Sequence, residues 1–230
     1  MMKTLRQFFL FMGLILSSVT FAASYQDAMD QGKAAFQRGN FEFAVQYWNE
    51  ALSQLSSKYK PAQYIDTSVR LAAAYQSLGR LKEACDILES LLPLVKNAPK
   101  RKANVLMQLS NVYLAMRDFK DKDMSCEVKT SSTTSENFLE RAQESIEKAK
   151  AEANDQLLLA NILNTKGNVL MAQKKYVEAL SAYKESVKLA NEGNDNALSA
   201  KASFNIVHAL MKQQKIMNKS NLNLLQLKNK

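Results

Sequence analysis

Apolar residues return along most of this chain at spacings of three and four, the signature of helices with one buried face. Short polar turns separate the runs. The pattern predicts helices at about 25–38 and 41–54, then 63–78 and 81–96, then 101–116 and 137–152. A further pair follows at about 156–173 and 176–191, and a last helix at about 196–213. With 3 Pro and 6 Gly in 230 residues the chain has few helix breakers, and it is rich in Ala, Leu, Lys, Gln and Glu. The expected fold class is all-α.

The helices repeat in pairs. Gly39-Asn40-Phe41 is followed by Ala44, Trp48 and Ala51. Gly79-Arg80-Leu81 is followed by Ala84, Leu88 and Leu91, and Lys174-Lys175-Tyr176 by Ala179, Tyr183 and Ser186. Each copy has a turn, a small residue three after the turn's apolar residue, and a large one four further on. A motif that returns about every forty residues marks one helical hairpin stacked on copies of itself. In the first helix of each pair a small residue stands near the middle: Gly32, Ala72, Ser110 and Gly167. In the second helix Ala44, Ala84, Ala142 and Ala179 are each followed four residues later by a bulky one: Trp48, Leu88, Ile146 and Tyr183.

This pattern resembles the tetratricopeptide repeat family, and its spacing of about forty is similar to the longer variant of kinesin light chains and many bacterial regulators. The resemblance covers about residues 24–213. It implies a right-handed superhelical solenoid of antiparallel helix pairs, with four to five repeats and the first helix of each pair lining a concave face. The fifth unit departs from the pattern: Lys219 and Asn223 stand where a small and a bulky residue are expected. The segment 214–230 is therefore read either as a basic cap or tail on the last repeat, or as the point where a longer array continues.

Residues 1–23 form a separate segment. Lys3 and Arg6 precede an apolar run from Phe8 to Leu16, and Thr20-Phe21-Ala22 supplies small residues where a signal peptidase reads. The run is too short and too rich in hydroxyls for a membrane span, which takes about 20 apolar residues. A secretory signal is expected, and with it a periplasmic or extracellular protein of a bacterial envelope. The formal charge of +9 falls to +7 once Lys3 and Arg6 are removed. That excess is spread along helices and does not by itself point to nucleic acid. Two cysteines, Cys85 in a helix and Cys126 in a polar insertion at 120–136, either pair in an oxidising compartment or remain a buried and an exposed thiol.

Aligning the copies gives an inward column of Lys33, Ala73, Asn111, Asn168 and His208. In the longer-repeat proteins that this chain resembles, asparagines there form a ladder whose amides grip an extended peptide backbone, each offering a donor and an acceptor. Asn111 and Asn168 match it; otherwise they are polar residues on an open face. Flanking columns place Met107 and Phe204 on one side, and Leu114, Met171 and Met211 on the other. Together they make a semi-apolar floor whose methionines suit adaptable binding.

Catalytic patterns are missing. His208 is the single histidine. There is no Cys/His set with metal spacing, no Gly-rich phosphate loop and no Gly-x-Ser-x-Gly elbow. The chain is therefore expected to be a binding protein without enzyme activity, cofactor or metal, holding a protein or peptide partner in its groove. Two alternatives accompany that expectation. Exported arrays of this kind resemble the front part of bacterial proteins ending in a caspase-like CHAT protease domain, which implies a truncated relative or a recognition subunit. Separately, Lys212, Lys215, Lys219, Lys228 and Lys230 stand in a terminus without acids, which suits weak contact with anionic lipid or cell-wall polymer.

Overall fold

A computed structural model describes residues 24–117, 126 and 138–228, with side chains described as far as Lys219. The signal segment, and the insertion apart from Cys126, lie outside the described residues. Nine helices are present among those described: α1 (Tyr25–Gln37), α2 (Phe41–Ser53), α3 (Pro61–Ser77), α4 (Leu81–Leu91), α5 (Pro99–Met116), α6 (Phe138–Glu152), α7 (Gln156–Ala172), α8 (Tyr176–Glu192) and α9 (Asn196–Lys228). Consecutive helices pair as antiparallel hairpins, and α3, α5, α7 and α9 also neighbour one another. Among the described residues the result is a stack of four hairpins followed by a single long helix.

Local chemistry sets the boundaries. Ser24 and Asp27 form a reciprocal capping box on α1. Pro61 and Pro99 open α3 and α5, where a missing N–H costs nothing. Asp155 caps α7 by accepting the Leu158 N–H at 2.9 Å. The tight turns after α1 and α3 place Gly39 and Gly79 at φ 77° and 73°, and the turn after α7 places Lys174 at φ 62°.

The repeat motif is a packing rule. A Cβ on Gly32 would overlap the Trp48 indole, and one on Gly167 would overlap the Tyr183 ring. Ser110 adds a bond in its copy, donating its hydroxyl to the Ala142 carbonyl at 2.8 Å. Small residues in the first helix therefore admit the large ones of the second. Ala44, Ala84, Ala142 and Ala179 are fully buried at the crossings. The largest continuous core runs through α3 to α7 and includes Leu88, Leu109, Ile146 and Ile162.

Two boundaries differ from the sequence expectation. α4 ends at Leu91 rather than near residue 96, because Pro93 cannot donate to the preceding turn. The Leu92 N–H closes on the Glu89 carbonyl instead, at 3.1 Å. α9 does not stop near residue 213 but continues through the start of the 214–230 segment as one helix of 33 residues. Its sequence contains neither glycine nor proline, and the place taken by Gly39 and Gly79 is held by Gln214, which stays helical.

Two separate links tie the insertion and α6 to α4. Cys85 on α4 is joined to Cys126 by a disulfide with Cα atoms 5.8 Å apart. One turn along α4, buried Glu89 accepts the Tyr113 hydroxyl at 2.6 Å and Arg141 Nη2 at 2.7 Å. Arg141 also sits 4.2 Å over the Tyr113 ring, so α4, α5 and α6 meet in one polar knot. Cys85, Glu89 and Cys126 cluster closely, but the sulfurs are spent on each other and the carboxylate on Arg141.

Candidate functional site: the face of α3, α5 and α7

The first helices of the hairpins share one side of the stack, and between α3, α5 and α7 they leave a cleft of about 590 Å³. Asp66, Arg101 and Lys100 form one end of it. Asn104, Gln108 and Met107 come from the middle helix, and Leu158 and Asn161 from the far wall.

The charges in this cleft are already matched. Arg101 forks onto Asp66, with Nε to Oδ1 at 3.0 Å and Nη2 to Oδ2 at 3.1 Å. Lys100 Nζ donates to Asp155 Oδ2 at 2.9 Å. That lysine, followed by the Leu158 N–H, holds the Asp155 carboxyl below its usual range.

The amides of α5 are not matched. Asn104, Gln108 and Asn111 are half-buried and make no hydrogen bond among the described residues. Their spacing of four and three puts them on one face of the helix. Each has an amide donor and acceptor to offer, beside the nearly buried Met107. Asn161 on α7 turns its Nδ2 back to the Leu157 carbonyl at 3.0 Å and keeps its oxygen free of protein donors among the described residues.

The residues picked out from sequence fall in several places. Met107 lines the cleft, and Asn111 lies one turn beyond Gln108 on the same face. Asn168 is different: its Oδ1 receives the Tyr183 hydroxyl at 2.8 Å, and Asn205 Nδ2 stands 3.4 Å away. Asn205 also donates to the buried Asn164 at 2.9 Å, so these asparagines tie α7 to α9. Leu114 packs on the central core and Met171 on the core of the last hairpin. Phe204, His208 and Met211 are exposed on α9, apart from the cleft. Burial is the main cause that pushes the hydroxyls of Tyr183 and Tyr113 well above the usual tyrosine value, with Glu89 adding to it at Tyr113.

Asp66, Asn104 and Asn161 were not singled out from the sequence, although a signal was present. Seven residues before the inward column stand Gln26, Asp66, Asn104, Asn161 and Lys201, polar in every copy. A separation of seven is two helical turns, hence the same face.

Comparison with known proteins agrees with this architecture. No family model matches the chain. A protein of Plasmodium falciparum described as Hsp70-Hsp90 organising protein is 32% identical over 127 residues, 51% of this chain and 48% of its own length. The corresponding protein of isolate 3D7 matches at the same identity over 22% of its length. The chain thus spans about half or less of the curated relatives it matches. Among solved structures, that of BtubC from P. vanneervenii is similar with a TM-score of 0.51 and 14% identity, over 83% of this chain and 80% of that one. The structure of MamA is similar at a TM-score of 0.44 and 16% identity, over 84% and 94% of the two chains. The chain is thus a tetratricopeptide-repeat-like α-solenoid.

Proposed function

We propose that this protein is an exported interaction module that holds an extended segment of a partner polypeptide along the face of α3, α5 and α7, without catalysing a reaction on it. One observation carries the reading: Asn104, Gln108 and Asn111 present unpartnered amides in a row beside Met107. An extended chain offers alternating carbonyls and N–H groups, which such amides pair in both senses. Because Arg101 and Lys100 are already neutralised, the groove favours backbone and small polar or apolar side chains over a dense charge cluster. The relatives' description as organising proteins for two other proteins supports a binding role. Export rests on the residue pattern of positions 1–23.

Crosslinking capture from the native envelope tests the reading. The unmutated protein should capture a partner that Asn104→Ala/Asn111→Ala does not, with the helical content of both forms equal. Equal capture by both would move the binding surface off α5.

A further inference from the structure

The groove reading leaves one surface of α9 unused. The inner side of α9, with Leu198, Ala202 and Ala209, is buried against the preceding hairpin. The outer side carries exposed apolar residues interspersed with the exposed Ser203, Gln214 and Asn218, and the exposed Ile216 stands apart from them. Phe204 is 73% exposed and Met211 65%, and Val207, Leu210 and Met217 are exposed with them. At about 100° per residue these five fall within about 140° of arc. On the same count Lys201, Lys212, Lys215 and Lys219 fall within about 60° immediately beside them. All four lysines are exposed. From Asn196 to Lys230 the sequence has six lysines and no Asp or Glu. From Gln214 to Lys219 every residue is exposed.

Shape and charge together select the occupant. A single helix packed on the side of a hairpin is a convex ridge, so its complement is a plane or another ridge rather than an inserted peptide. A second copy of α9 would set lysine against lysine with no acidic residue on the helix to offset them. An anionic bilayer answers both requirements. The apolar arc enters the boundary between headgroups and acyl chains, and the ammonium column meets headgroup phosphates. No helix among the described residues is long and apolar enough to cross a membrane, so contact would be along the surface. We propose that α9 docks this protein flat on a bilayer containing anionic lipid.

Vesicle sedimentation of the full chain tests this, with phosphatidylcholine alone against equal parts phosphatidylcholine and phosphatidylglycerol. Each lysine near such a surface gives roughly a fivefold gain in partitioning. Lys212→Glu/Lys215→Glu/Lys219→Glu should therefore lower binding to the anionic vesicles at least about a hundredfold. Phe204→Ser/Met211→Ser should lower it by more than about tenfold, with circular dichroism unchanged in both. In Phe204→Trp, lipid brominated near the headgroup end of its tails should quench the new indole and spare Trp48, which is buried in the first hairpin. Equal binding to both vesicle types, or binding that survives both sets of substitutions, would overturn the proposal and assign the contact to another segment. Absence of vesicle binding together with a dimer, or an acidic protein partner, lost on the same substitutions would overturn it in favour of a protein interface.

Discussion

Tyr183 gives its hydroxyl to Asn168 Oδ1 at 2.8 Å, and this bond separates two asparagines that look equivalent in the sequence. Asn111 faces the open side of α5 with no partner among the described residues, whereas Asn168 is spent inside its own hairpin. Tyr183→Phe should cost about 1 kcal/mol of stability, the usual worth of one such bond. Partner capture should be unchanged. Urea unfolding measures the first and a binding isotherm the second.

Gly167→Ala should destabilise by about 1–3 kcal/mol, because the added methyl overlaps the Tyr183 ring in a packed interface. Gly32→Ala should behave alike against Trp48. Adding Tyr183→Leu to Gly167→Ala should recover part of the loss, since the smaller side chain makes room. Unfolding curves for the single and double variants form the cycle that checks this.

Most of the architecture was legible in the sequence because it follows from local periodicity and from side-chain volume. Gly32 with Trp48 and Gly167 with Tyr183 are readable as small–large pairs before any coordinates exist. The continuation of α9 was harder. Leu222, Leu224, Leu225 and Leu227 resemble a second apolar helix, and only the lack of a residue suited to a left-handed turn near Gln214 opposes a break. Lys174 shows that such a turn forms without glycine, so composition alone could not decide. The site was legible by column but not by rung. Alignment gives which residues share a face; whether an amide is free depends on a hydroxyl from the neighbouring helix.

Reduction of the Cys85–Cys126 disulfide should lower stability by up to about 4 kcal/mol on the chain-entropy view, given a sequence separation of 41 residues. Arg141 and Glu89 should keep α6 in place, so helical content under native conditions should barely fall. Urea unfolding with and without reductant, followed by circular dichroism, checks both parts. A large loss of helix on reduction alone would show that the polar knot does not hold α6 unaided.

Stability should fall at high pH. Tyr113 and Tyr183 have folded values raised above the ordinary one near 10, chiefly by burial. Their contribution is complete below about 10, where both states are protonated, and is lost as pH rises toward the folded values. In an absorbance titration two of the eight tyrosines should ionise only with unfolding. Asp155 has the opposite sign. Its carboxyl is held low by Lys100, so its contribution is present above the ordinary value of 3.8 and fades as pH falls below it.

The most direct measurement of where a partner lies is site-specific photocrosslinking in cells of the native host. A photoreactive amino acid is placed at Gln108 on α5, and in a second variant at Glu185 on α8, which lines a different cleft. A crosslinked partner is expected from position 108 and not from position 185, with that crosslink lost when Asn104 and Asn111 are both alanine. Crosslinking from position 185 with none from 108 would contradict a partner held on α5.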